Sequence, residues 1–335
     1  MGIPSYFSYI VKNHRNIIRK LNKNTEIDYM FLDSNSIVYD CLHKLSTNYE
    51  SSKKDEFEME LINKTIEKIE EYISIISPTK GVYISFDGVA PVAKLEQQRT
   101  RRHKSLLEYK LNKQLNPKFI ETWDKISITP GTQFMNKLNI ILSGHFKKKG
   151  GLYMFSGSDE VGEGEHKIFQ YIRDNNDIMK NKTIVVYGLD ADLIMLGINH
   201  LHISNKIYLF RETPEFIKSI DSSLIPNENY IIYLNELSNG IVRHMKNFNK
   251  ANITENVIKD YMFMCFFLGN DFLPHFPSVN IRTLGIHILM NAYKEVLGSS
   301  KKTIIQNNKI QWSVLSKIIN VLSDNEHDNL LREHT

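Results

Sequence analysis

The sequence predicts an α/β protein with a mostly parallel central sheet flanked by helices. Short β-branched and aromatic runs at 27–32, 81–86, 152–155, 183–189, 206–210 and 230–234 alternate with longer stretches of helical periodicity. That alternation is the pattern of a sheet covered on both faces. Three of the runs are followed at once by an acid and a turn, at Asp33, Asp87 and Asp190. In such sheets ligands gather outside the carboxyl ends of the strands, so architecture and site are one expectation.

Taken in order, residues 1–20 read as a helix introduced by Gly2 and Pro4, because proline suits a first turn. The run 27–32 has the length of a buried strand and places Asp33 at its end. Helices are expected at 34–45 and 53–76, the second amphipathic with a charged, solvated outer face. The strand 81–86 leads to Asp87-Gly88, and Pro91 opens a helix carrying Lys94, Gln98, Arg101 and Arg102. At about 3.6 residues per turn these four share one face within roughly 100°. An amphipathic core helix would put apolar side chains there; this one carries anion donors.

Thr129-Pro130-Gly131 marks a turn before another helix, which a basic loop at 147–151 closes. The strand 152–155 follows, then the acidic turn Gly162-Glu163-Gly164-Glu165-His166, its helix, and the strand ending at Asp190-Ala191-Asp192. After the strands at 206–210 and 230–234, a helix from about residue 253 ends at Gly269-Asn270-Asp271, with Pro274 and Pro277 beyond. A carboxylate beside a helix C-terminus opposes the macrodipole, so Asp271 is better explained by a cation than by capping. A last helix is expected at 312–322.

Four carboxylates, Glu163, Glu165, Asp190 and Asp192, thus belong to one strand-turn-helix region. At about 4 Å and an effective dielectric near 20, a close pair repels by roughly 4 kcal/mol. Either they spread apart or a cation holds them. Oxygen ligands without cysteine favour a hard divalent ion such as Mg²⁺ or Mn²⁺ over zinc. Singly, each acid has a plainer alternative as a helix N-cap or first-turn residue. Together Asp33, Asp87, Glu163, Glu165, Asp190, Asp192 and Asp271 all fall at one predicted sheet edge, the arrangement a two-metal hydrolytic centre requires. The basic stripe could be a solvated face. Its position just after Asp87 ties it to the acids, and a planar arginine pair with Lys94 and Gln98 suits a terminal phosphate. His103 and His166 carry no assigned role.

Composition narrows the classes further. The chain has 335 residues, 41% hydrophobic and 24% charged, with a formal charge of +4. These values suit a folded globular protein. The net charge alone does not establish a nucleic-acid partner, but residues 92–115 hold seven Lys or Arg against two Glu. Cys41 and Cys265 lack metal-ligand spacing and point to reduced thiols in an intracellular, cytoplasmic protein. The N-terminus lacks a signal-peptide core, and the apolar run 261–268 is far short of the roughly 20 residues that span a membrane. No G-x-S-x-G elbow or phosphate-binding G-x-x-x-x-G-K-[ST] loop occurs.

The segments MGIPSYF, LDSNSIVYD around Asp33, FDGVAPVAKLEQQRTRR from Phe86, ITPGTQFM from Ile128, GEGEHKI from Gly162, YGLDADLIML from Tyr187 and FLGNDFLPH from Phe267 closely resemble the XRN family of 5′→3′ exoribonucleases. They stand in the family's order across most of the first 280 residues. The resemblance implies a PIN-like 5′ nuclease architecture. It implies that the seven acids bind two Mg²⁺ ions, with Mn²⁺ as a possible substitute, and hydrolyse single-stranded RNA to mononucleotides. It also implies that Lys94, Gln98, Arg101 and Arg102 hold a 5′ monophosphate. Tyr39 stands where members of the family commonly place a histidine that stacks on the first base, and a tyrosine can stack likewise.

The resemblance assigns residues 1–298 to the nuclease domain and 299–335 to a short helical extension. Members of the family continue into a second conserved region that supplies another aromatic side chain. Two rival functions stay open at this point: a structure-specific nuclease for 5′ DNA flaps, and a weakly active protein that binds RNA 5′ ends.

Overall fold

In the computed structural model of the chain, each expected strand forms within two residues of its predicted bounds. Every residue is described except 1, 2, 4, 22–24, 46–48, 118, 248–253 and 335. In chain order the elements are α1 (Tyr6–Asn13), β1 (Ile18–Arg19), β2 (Tyr29–Asp33), α2 (Asn35–Leu45), α3 (Lys54–Ile76), β3 (Gly81–Ser85), α4 (Val92–Leu115), α5 (Gln133–Lys147), β4 (Tyr153–Ser156), α6 (Gly164–Asp174), α7 (Asn176–Met179) and β5 (Ile184–Tyr187). Then follow α8 (Asp192–Asn199), β6 (Ile207–Glu212), β7 (Asn229–Tyr233), α9 (Leu234–Met245), α10 (Thr254–Cys265), α11 (Gly285–Leu297), the short hairpin of β8 (Ile305–Gln306) and β9 (Lys309–Ile310), α12 (Trp312–Asp324) and α13 (Glu326–His334). The chain forms two compact units, Asn24–Gly188, and Met1–Lys23 with Leu189–Thr335.

The unit Asn24–Gly188 contains a parallel sheet in the order β5-β2-β3-β4. Strand β2 lies at its centre, with Phe31 opposite Tyr83 on β3 and Leu32 opposite Tyr187 on β5. Side chains alternate across a strand, so Phe31 and Tyr83 face one side while Leu32 and Tyr187 face the other. Tyr171 of α6 packs its ring 5.9 Å from Phe31 and 4.9 Å from Tyr83. On the opposite side Tyr72 of α3 meets Tyr187 at 4.5 Å. Cover on both faces explains why β2 is apolar and buried nearly throughout. Asp33 shares the side of Phe31, the side on which α6 begins. The turn at Thr129-Pro130-Gly131 leads into α5 as expected, and Thr132 caps that helix by accepting from Met135 N at 3.3 Å.

The other unit departs from the expected pattern twice. The helix expected over 1–20 is α1 alone; it stops at Asn13, and a single 3₁₀ turn, Arg15–Ile17, leads to β1. Ile18 pairs with Ile232 and Arg19 with Ile231, so long-range ladder bonds override the local helical periodicity. Gly2 and Pro4, the expected helix start, lie outside the described residues, as does the expected start of α10 at residue 253. The sheet here is also antiparallel: β6 pairs with β7 from Tyr208↔Tyr233 to Glu212↔Asn229, and β7 with β1. A parallel neighbour needs a crossover, usually a helix, and the link from β6 to β7 carries only the 3₁₀ turn Glu215–Ser219.

A buried polar pair ties the C-terminal elements of this unit together. Lys246 Nζ donates to the carbonyls of Leu297, Ser300 and Lys302 at 2.8, 2.9 and 3.0 Å. Asp260 accepts from Ile304 N, Ile305 N and the Tyr293 hydroxyl at 2.7, 2.8 and 2.8 Å. Burial pushes the Lys246 ammonium down to about 8, against the pull of Asp260.

Candidate metal and phosphate site

The site is assembled at the carboxyl ends of β2 and β3 and the start of α6. Asp33 is the last residue of β2, and Asp87 follows β3 by two. Asp87 reaches across to α6, accepting from Gly164 N at 2.7 Å. Asn35 holds it from the other side: Asn35 Nδ2 donates to Asp87 Oδ2 at 2.8 Å, and Asp87 N donates to Asn35 Oδ1 at 3.0 Å. The two loops are laced by Gly88 N to Gly162 O at 2.8 Å and Gly162 N to Val89 O at 3.0 Å. Gly162 takes φ of 106°, a conformation that favours glycine.

One carboxylate oxygen each from Asp33, Asp87 and Glu165 lies within 4.8 Å of the others, and Glu163, Glu165 and His166 form a second such group. Glu165 belongs to both. Its buried carboxyl is pushed up to about 8, first by desolvation and then by the charges of Asp87 and Glu163. Asp33, Glu163 and Glu165 are all buried. Buried carboxylates crowded in this way fit a hard divalent ion, which would compensate the repulsion that raises Glu165. Gly164 completes the cradle, since a Cβ there would overlap Asp33 Oδ1.

These carboxylates, the glycine-spaced acidic turn and the strands that carry them lie within a longer match: residues 1–213 fit the profile of the XRN 5′-3′ exonuclease N-terminus. The chain belongs to the XRN family. Residues 251–334 fit the Xrn1 helical domain. The 5′-3′ exoribonuclease 1 of Saccharomyces cerevisiae is 33% identical over 97% of this chain and 23% of its own length. The human 5′-3′ exoribonuclease 1 is 30% identical over 98% of this chain and 20% of its own length. This XRN chain therefore spans about a quarter or less of those two relatives. Among solved structures, the catalytic core of Rad2 in complex with DNA substrate aligns with 97% of this chain and 81% of its own, at 13% identity and a TM-score of 0.47.

In this XRN chain the basic stripe of α4 begins inside the site. Lys94 alone is buried among the residues of that helix, all of which are described. Its Nζ lies 2.7 Å from Glu163 Oε1, with the two side chains 6% and 9% exposed. Glu163 occupies the N-cap position of α6 yet makes no capping bond there. One and two turns beyond Lys94, Gln98 and Arg102 are half-buried, and Arg102 Nη2 donates to Gln98 Oε1 at 3.4 Å. Arg101 is exposed. Tyr39 of α2 is 45% exposed and its hydroxyl donates to Ile128 O at 3.4 Å. Burial raises its phenol pKa; Asp87 adds to that and Arg102 opposes it, so the ring's polar end senses both the acids and the stripe.

Asp190, Asp192 and Asp271 belong to the other compact unit. Asp190 is exposed in the turn after β5, Asp192 is the half-buried first residue of α8, and Asp271 is half-buried just beyond Gly269, whose φ is 81°. Within Asn24–Gly188 three further residues matter that sequence reasoning left unassigned. Asn35 and Gly164 are described above. Lys167 donates to Gly157 O at 2.7 Å and lies among Glu160, Asp87, Asp159 and Asp33, whose charges oppose the downward push of burial on its pKa. Asn35 sits two residues after a strand-end acid and inside the LDSNSIVYD segment, but neither signal gave it a role.

Proposed function

We propose that this chain is a Mg²⁺-dependent 5′→3′ exoribonuclease that releases mononucleotides from single-stranded RNA bearing a 5′ monophosphate. The observation that carries the reading is the Lys94–Glu163 contact, because it joins a convergent carboxylate cluster to a face of anion donors. Asp33, Asp87, Glu163 and Glu165 would hold the ions, joined by Asp190, Asp192 and Asp271. Mn²⁺ could replace Mg²⁺ on the same oxygen ligands. Two cations held by these carboxylates would supply an activated water and charge stabilisation at the leaving 3′ oxygen.

The chain's own residues do the rest. Asn35 and Gly164 N fix both oxygens of Asp87, so that carboxylate is oriented before anything binds. Lys94, Gln98, Arg101 and Arg102 would hold the 5′ phosphate, and donors matched to one terminal phosphate would favour a monophosphate over a triphosphate. Tyr39 offers a ring on which the first base stacks. Both cysteines are buried and unbridged, which suits work in a reducing, intracellular compartment. Among the described residues no helix is long and apolar enough to cross a membrane.

The test is a time course with Mg²⁺ on 3′-labelled single-stranded RNA in 5′-monophosphate and 5′-triphosphate forms, with a matched 5′-flap DNA and the Asp190→Ala variant alongside. Loss of the monophosphate RNA alone, with mononucleotides released and Asp190→Ala inert, supports the reading. Preferential cleavage of the flap DNA, or binding without product, overturns it.

A further inference from the structure

Helix α4 presents nearly all of its 24 residues to solvent, and the one it buries is a lysine. Burying an ammonium is costly unless a counter-charge meets it. Glu163 provides that charge at 2.7 Å. The same carboxylate lies with Glu165 and His166 in one of the two groups able to ligate a metal. It is also withheld from the role its position offers, since it makes no capping bond to α6. Lys94 therefore already occupies a carboxylate that a metal could also take. The competing lysine lies on the face that continues through Gln98 and Arg102, the donors suited to an anion.

We propose that Lys94 is the resident counter-ion of Glu163, and that exchange of this pair couples metal binding to binding of a 5′-phosphate group. A metal that takes Glu163 draws away the carboxylate 2.7 Å from the buried ammonium, and a phosphate replaces that negative charge. A phosphate that takes Lys94 likewise leaves Glu163 open to the metal. Each ligand removes part of the cost of the other, and by linkage the factor is the same in both directions. The inference rests on the reading that these carboxylates hold the metal. Its consequence is that the site assembles fully only when a phosphorylated end and the ion are both present.

Manganese binding, followed by the electron paramagnetic resonance of free Mn²⁺, tests this with no reaction needed. With the whole chain, adenosine 5′-monophosphate tightens Mn²⁺ binding at least about fivefold. Lys94→Met, with the competitor removed, binds Mn²⁺ at least about fivefold more tightly than the parent without nucleotide, and the nucleotide then adds little. The mirror variant, Glu163→Gln, binds the nucleotide in EDTA more tightly than the parent by a similar factor, so a folding failure in either variant leaves the other to decide. Unchanged or weaker Mn²⁺ binding by folded Lys94→Met overturns the proposal, as does a parent protein whose Mn²⁺ affinity ignores the nucleotide. The RNA assay separates this from the functional reading. Linkage without RNA degradation keeps the inference and removes the exoribonuclease assignment, whereas degradation without linkage removes the inference alone.

Discussion

Gly164 and Asp33 meet with no room between them for a side chain. A Cβ on the glycine would overlap Asp33 Oδ1 and lie 3.4 Å from Asp87 Oδ1. The Asp33 carboxylate would have to shift, although α6 itself would lose nothing, because alanine is the better helix former. Gly164→Ala should therefore cut RNA hydrolysis and Mn²⁺ affinity by at least about tenfold while the melting temperature changes little. Wild-type turnover by the folded variant would show that the cradle is not the catalytic centre.

Asn35 holds Asp87 through two hydrogen bonds, at 2.8 and 3.0 Å. It need not touch substrate or metal, so its effect should come through the orientation of that carboxylate. Asn35→Ala is expected to lower turnover about 10- to 100-fold, partly recovered at high Mg²⁺. Steady-state rates across a Mg²⁺ titration measure this, and a variant indistinguishable from the parent at every concentration refutes the orienting role.

Glu165 gives the site a pH signature. Burial, with Asp87 and Glu163, raises its folded pKa to about 8, above the ordinary carboxylate range. The metal-free fold thus favours the protonated acid. The stability this contributes is complete below the ordinary carboxylate pKa and is lost as pH rises through about 8. Glutamine mimics the protonated acid without titrating. In EDTA, the melting temperature of Glu165→Gln should exceed that of the parent by little at pH 5 and by several degrees at pH 8.5, and Mg²⁺ should narrow the gap by restoring the parent. A gap that shrinks with rising pH would contradict the assignment.

Lys246→Met removes the donor shared by three buried or half-buried carbonyls near the C-terminal end of the chain. The methionine fills similar space, so the loss is polar. About 1–3 kcal/mol of stability should go with it, readable as a lowered urea midpoint. A midpoint equal to that of the parent would mean that water replaces the ammonium.

The sequence by itself determined six of the strands, β2 to β7, and the acids that follow three of them. The runs at 27–32 and 81–86 are β-branched or aromatic and stop at an acid and a turn, which places Asp33 and Asp87 at one edge from local pattern alone. The buried lysine of α4 was legible only as one of a stripe; its burial was not, because it depends on Glu163, 69 positions away in the chain. The 1–20 helix failed for the same reason, since Ile18 and Arg19 answer to Ile232 and Ile231. The tertiary structure alone decided which carboxylates lie within 4.8 Å of one another, that Asn35 holds Asp87, that a Cβ on Gly164 would overlap Asp33, and that Lys94 meets Glu163. Local periodicity follows from neighbours a few bonds apart, whereas charge pairing and close approach depend on residues that meet only after the chain has closed on itself.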